Sequence, residues 1–182
     1  MPPQQPVDSR GRRIVAVIEC ILNQNARDEG AASSPALSWE VVALCHEHGV
    51  GMVQLPCPEI ACLGMARARA PGGSIRAALD TEAGRARCAE ISAQAADRLE
   101  TYARAGYRVL AVLGGNPQSP GCAVHLDGQA LQSSSGVFMR ELQSELRRRG
   151  LEMPFRGLRD SDPALLADDL QWLAQRFDAP GP

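Results

Sequence analysis

The chain has no lysine: all 19 of its basic residues are arginine. Without lysine there is no Gly-Lys pair for a Walker-type phosphate loop, and Gly114-Gly115 does not complete a Gly-x-Gly-x-x-Gly fingerprint. Alongside the Ala-rich segments, the all-arginine usage reads as compositional bias more than as a phosphate-binding design. The formal net charge is only −2, so nothing draws the chain electrostatically to nucleic acid or an anionic membrane, and neither is expected as a partner. No apolar run approaches the roughly 20 residues of a membrane-spanning helix. There is no internal repeat. Met1 to Arg13 is polar, carries Pro2, Pro3 and Pro6, and lacks the apolar core of a secretory signal. A disordered lead-in over residues 1–11 and a cytoplasmic location are therefore expected. No feature of the sequence fixes an oligomeric state.

What is present suits one globular domain, over residues 12–182. Of the 182 residues, 45% are apolar and 22% charged, enough to build a full core under an ordinary surface. Arg13 to Glu19 is almost continuously apolar and β-branched, as in a strand covered on both faces. Ser34 and Pro35 can start a helix that Gly49 ends, and Val50 to Leu55 is a second strand, stopped by Pro56 and Pro58. The stretch Leu63 to Ser74, rich in Arg, Gly and Pro, is long enough to form a lid. A long helix over 80–105 leads to a third strand, Tyr107 to Leu113, and then to an irregular segment, 114–134. A helix over 135–149, a short strand at Leu151 to Phe155 and a last helix opened by Ser161-Asp162-Pro163 complete the chain. The alternation of strand and helix predicts an α/β fold, a Rossmann-like three-layer α/β/α sandwich on a short, mostly parallel sheet.

Three of the six cysteines follow a predicted strand. Cys20 comes after the first, Cys57 lies in the Leu-Pro-Cys-Pro-Glu turn after the second, and Cys122 lies in the Gly-rich segment after the third. Ligands of an open parallel sheet bind outside the carboxyl ends of its strands, so residues far apart in sequence converge there. In a reducing compartment such cysteines are more often metal-binding or catalytic than bridged. A soft thiolate set points to iron–sulfur or zinc. Cys62, in a Cys57-x4-Cys62 spacing, is a possible fourth ligand, as is His125; either would close the shell into a non-catalytic zinc module. Cys45-His46-Glu47-His48 reads as a helix end and Cys88 as a packing residue. Glu59, two residues past Cys57, can act as an acid or base. Asn23, Asn25 and Asn116 can hydrogen-bond a heterocycle's amide edge, and Arg67 and Arg69 can close over an anionic group.

Cys20-Ile21-Leu22-Asn23-Gln24-Asn25, then Pro56-Cys57-Pro58-Glu59, then Ser119-Pro120-Gly121-Cys122 together resemble the three-part signature of the thiouracil desulfidase (TudS) family. The likeness is greatest to a related desulfidase branch whose first motif has this Cys-x-Leu-Asn-Gln-Asn form, and it runs from about residue 14 to 150. Gly121 stands where the third motif usually has Ser. The resemblance implies that Cys20, Cys57 and Cys122 hold a [4Fe–4S] cluster and that its open iron takes sulfur from a small thiolated substrate. It further implies that water replaces the sulfur and that Glu59 and Ser119 do the acid–base work.

Overall fold

The computed structural model describes residues 8–180. Of the expected lead-in, residues 1–7 lie outside the described residues. Within the rest, Arg10 pairs with Asp8 ahead of the first strand.

The chain is an α/β sandwich. Four strands, β1 (Arg13–Ile18), β2 (Gly51–Leu55), β3 (Arg108–Gly114) and β6 (Phe155–Gly157), form a parallel sheet in the order β2-β1-β3-β6. Central β1 is buried from Ile14 through Ile18, because helices cover both of its faces. From β1 the chain crosses to β2 through α2 (Trp39–Glu47). It returns over β1 to β3 through α5 (Glu82–Arg104), and continues outward to β6 through α6 (Val137–Arg148). Right-handed crossovers in opposite directions place α2 on one face and α5 and α6 on the other. The packing agrees: α5 lies against α6, and α2 against the last helix, α7 (Pro163–Asp178). The direction of winding reverses between β1 and β3, and at such a point the loops leaving neighbouring strands part to open a crevice.

Two short helices that the residue pattern did not signal follow the first two strands directly. They are α1 (Glu19–Leu22) and α3 (Pro58–Leu63), which starts with Pro58 in its first turn and Cys57 as its N-cap. A further short helix, α4 (Ile75–Leu79), and a two-strand hairpin, β4 (Leu126–Asp127) with β5 (Ala130–Leu131), decorate the connections. The expected helix start at Ser34-Pro35 is corrected to Trp39. Residues 36–38 lie along the Cys20 loop instead: Gln24 N–H donates to Ala36 O at 2.7 Å, and Ser38 N–H to Ile21 O at 2.9 Å. The fourth strand begins at Phe155, not Leu151. Pro154 has no N–H for a ladder, although its carbonyl accepts from Val112 N at 2.9 Å. Among the described residues no helix is long and apolar enough to cross a membrane.

Candidate functional site

Register puts two of the cysteines at equivalent places. Ile18 of β1 pairs with Leu55 of β2, and Cys20 and Cys57 each follow two residues later. Cys122 reaches the same end of the sheet by a different route. The chain leaves β3 at Gly114, makes a turn over 116–119, and comes back so that Cys122 O accepts from Gly115 N at 3.0 Å. All three cysteines are buried free thiols, and all three line one cavity of about 550 Å³. Glu59, Arg67, Asn116 and Ser119 line it as well.

The floor between Cys20 and Cys122 is Gly115. A Cβ built there would lie 2.6 Å from Cys122 Sγ and 3.7 Å from Cys20 Sγ, so both sulfurs face the space a side chain would fill. In the sequence Gly115 reads only as half of a Gly-Gly pair that completes no nucleotide loop; its neighbours come from the return of a distant turn, which no local pattern reveals. Among the described residues, no three His, Cys, Asp or Glu side chains are gathered closely enough to hold one metal ion.

Burial raises the Cys122 thiol well above its usual range, and the neighbouring Cys20 and Cys57 sulfurs add to the effect, while the Ser119 hydroxyl opposes it. Burial likewise pushes Cys57 up to about 11. Cys20 is raised by burial, partly offset by the Arg27 guanidinium beside it. Burial thus favours protonated thiols, and a bound metal would have to displace those protons.

Glu59 is fixed from two sides. Ser119 Oγ donates to Glu59 Oε1 at 3.1 Å, and Arg67 Nε donates to Glu59 Oε2 at 3.3 Å. Ser119 Oγ also accepts from Cys122 N–H at 3.2 Å and lies 3.1 Å from Cys122 Sγ. Its single proton therefore has two places to go, the carboxylate or the sulfur. Close packing of Gly121 on Pro58 holds the Ser119–Cys122 turn against α3, since a Cβ at Gly121 would come within 2.5 Å of the Pro58 ring.

Arg67 is 1% exposed, although it belongs to the segment expected to be a lid. It takes the left-handed conformation, with φ of 47°, which is uncommon for a residue with a side chain. Its guanidinium reaches Ala26 O at 2.5 Å, Met65 O at 3.1 Å and Cys57 Sγ at 3.9 Å, besides Glu59. These bonds clamp the Cys20 and Cys57 loops together and pin the 64–74 segment down. Arg69 braces that same segment, donating to Arg67 O at 2.8 Å and Gly73 O at 3.0 Å.

The asparagines divide. Asn116 lines the cavity, its Oδ1 accepting from Gln118 N at 2.9 Å in an Asx turn. Asn23 and Asn25 are exposed and bond to one another, Asn25 Nδ2 to Asn23 Oδ1 at 3.0 Å, so the structure does not bring them to the cavity. The buried member of that motif is Gln24. Its Nε2 donates to Cys20 O at 2.9 Å and its Oε1 accepts from Ser33 N at 3.1 Å. Two more supports went unread in the sequence. Glu19 Oε2 accepts from Cys57 N–H at 2.9 Å, tying the first two cysteine loops. A buried ion pair, Arg27 with Asp160 at 2.5 Å, ties the Cys20 loop to the segment after β6.

Neither possible fourth ligand faces the cavity. Cys62 turns to the other side of α3, toward Cys88, and lines a separate cavity. His125 Nε2 lies 3.0 Å from Pro117 O and braces the 116–119 turn. Cys45 is a core residue on α2, and His48 pairs with Asp178 on α7.

No protein-family model and no solved structure matches the chain. It is similar, at 27% identity over 139 residues, to the uncharacterized protein MJ0003 of Methanocaldococcus jannaschii, covering 76% of this chain and 81% of that one.

Proposed function

We propose that the chain is a desulfidase that depends on an iron–sulfur cluster and removes sulfur hydrolytically from a small thiolated compound, a thio-nucleobase or similar thioamide. The observation that carries the reading is the single cavity onto which three thiols from beyond three strand ends open beside the Glu59–Ser119 pair, with Cys62 and His125 both turned away. A [4Fe–4S] cluster meets each thiolate at a different iron, and three thiols opening on one cavity, with room kept by Gly115, suit it. Cys20, Cys57 and Cys122 are its proposed holders. When bound, it supplies a soft Lewis-acidic iron with a free position that polarises a thiocarbonyl.

The chain's own groups do the rest. Glu59, fixed by Arg67 and Ser119, accepts a proton from the water that adds to the thiocarbonyl carbon. The C–S bond then breaks, the sulfur leaves as hydrosulfide, and a carbonyl remains, with no net oxidation or reduction. Ser119, bonded to both Glu59 and Cys122, passes its proton between the carboxylate side and the sulfur side of the cavity. Asn116 contributes an amide at the cavity wall for the heterocycle's edge.

The test is sulfide release from a panel of thioamide heterocycles by anaerobically prepared protein. Glu59→Gln keeps an oxygen for Arg67 but loses the base, and kcat is expected to fall by about 10²–10⁴-fold with cluster content retained. Unchanged kcat in Glu59→Gln would remove Glu59 from the mechanism, and no sulfide from any thioamide would overturn the assignment.

A further inference from the structure

A second pair of thiols lies outside this site. Cys62, in the last turn of α3, has its Sγ 3.8 Å from Cys88 Sγ in the second turn of α5. Gly84 lets α5 start tight against the end of α4: a Cβ at Gly84 would lie 2.5 Å from Ala78 O and 2.6 Å from Leu79 O. The Gly84 carbonyl, in turn, is 3.8 Å from Cys62 Sγ. The two thiols differ in access. Cys88 is fully buried, whereas Cys62 is half-buried and lines a cavity of about 460 Å³ shared with Arg69 and Arg87. Burial raises both thiols, but at Cys62 the contact with Cys88 and, less, the Arg87 guanidinium work against it. One sulfur can thus meet a small reagent from solvent while the other waits behind it.

We propose that Cys62 and Cys88 are a peroxide-responsive dithiol, with Cys62 the attacking thiol and Cys88 the resolving one. Cys62, as its thiolate, takes an oxygen from hydrogen peroxide. The O–O bond breaks, Cys62 becomes a sulfenic acid, and the departing hydroxide joins the thiol's proton as water. Cys88 sulfur then attacks Cys62 sulfur, the S–O bond breaks, and the second hydroxide leaves with the Cys88 proton as water. Two thiols are oxidised by two electrons in all, and one peroxide is reduced to two waters. The sulfurs must close from 3.8 Å to about 2.05 Å. The bond joins α5 to the helix that Cys57 caps and that bears Glu59 one turn before Cys62, so oxidation stiffens the support of the thiol cavity. The dithiol stands on its own geometry and does not depend on the desulfidase reading.

The experiment treats the full-length protein with stoichiometric hydrogen peroxide, blocks remaining thiols with iodoacetamide, and maps a non-reducing digest by mass spectrometry. A Cys62–Cys88 crosslinked peptide, two hydrogens lighter than the pair of thiols, is expected as the dominant oxidised product. In Cys88→Ser the crosslink is lost, and dimedone labels Cys62 at least tenfold more than in the wild type. Two results would overturn the proposal. One is alkylated Cys62 and Cys88 in protein whose Cys20, Cys57 or Cys122 has been oxidised. The other is equal dimedone labelling of Cys62 in the wild type and Cys88→Ser.

Discussion

Replacing Gly115 with alanine adds one methyl group and touches no thiol in sequence. The new Cβ would stand 2.6 Å from Cys122 Sγ and 3.7 Å from Cys20 Sγ, where non-bonded heavy atoms prefer about 3.5–4.0 Å. The Cys122 sulfur must therefore move by about an ångström. It has little room to do so: the residue is buried, Ser119 Oγ is 3.1 Å away, and its carbonyl is held by Gly115 N. Overpacking of this kind costs about 1–3 kcal/mol, which for a chain of this length lowers the thermal midpoint by about 3–10 °C. The displaced sulfur also loses its alignment with Cys20. Anaerobically purified Gly115→Ala is thus expected to hold less than half the wild-type iron. Gly51→Ala is the control, because its nearest neighbour would be Ile14 Cγ2 at 3.5 Å, an ordinary contact. Wild-type iron content and thermal midpoint in Gly115→Ala would refute the assignment of Gly115 as the floor of a shared thiol site.

Two further outcomes are expected. Arg67→Lys keeps the charge but loses the planar fork that serves Ala26 O, Met65 O and Glu59 at once. It should cost about 2–4 kcal/mol in urea unfolding, and an unchanged midpoint would show the clamp to be unimportant. Burial in the core pushes the Cys45 thiol from 9.0 up to about 12, so the native chain holds that proton more tightly than the unfolded one. Its contribution is whole below pH 9 and declines as pH rises from 9 toward 12, by roughly 1.4 kcal/mol per pH unit. Thermal midpoints between pH 8 and 10.5 should fall more steeply for the wild type than for Cys45→Ala, and parallel profiles would count against the assignment.

The elements that could be read from the sequence are those with a strong repeated signal. The first three strands are short apolar runs, found within a residue or so of their expected bounds. The long helix ends at Arg104, with Gly106 in the left-handed conformation just beyond, and α7 opens on Asp162, whose carboxylate caps Ala164 and Leu165. Helices of four to six residues were not legible. α1 has no capping side chain, and its single turn is set by Gln24 and by the 36–38 segment laid against it. Pro58 is the exception: Pro at a first helical position is a recognised helix start, although between Leu55 and Glu59 it reads equally well as a strand breaker.

At the site, Cys20, Cys57 and Cys122 were expected to converge because each follows a strand, and all three line one cavity. The Glu59–Ser119 contact also joins residues singled out in advance. Which way a side chain turns was less accessible. Asn23 and Asn25 satisfy each other, while the buried Gln24 beside them holds the loop. The Cys57-x4-Cys62 spacing brings two sulfurs near in sequence, yet Cys62 packs toward Cys88 because it lies in the last turn of α3, against α5. Arg67 stood out as a cation for substrate, and its buried bonds to four protein groups came from tertiary packing.

The central claim is that the three thiols hold a four-iron cluster. The most direct measurement is the visible absorption of protein purified without oxygen, with iron and acid-labile sulfide determined on the same sample. Broad brown absorption with about four irons per chain, lost in Cys57→Ala, is the predicted result. A colourless protein that stays iron-free after reconstitution would contradict the account.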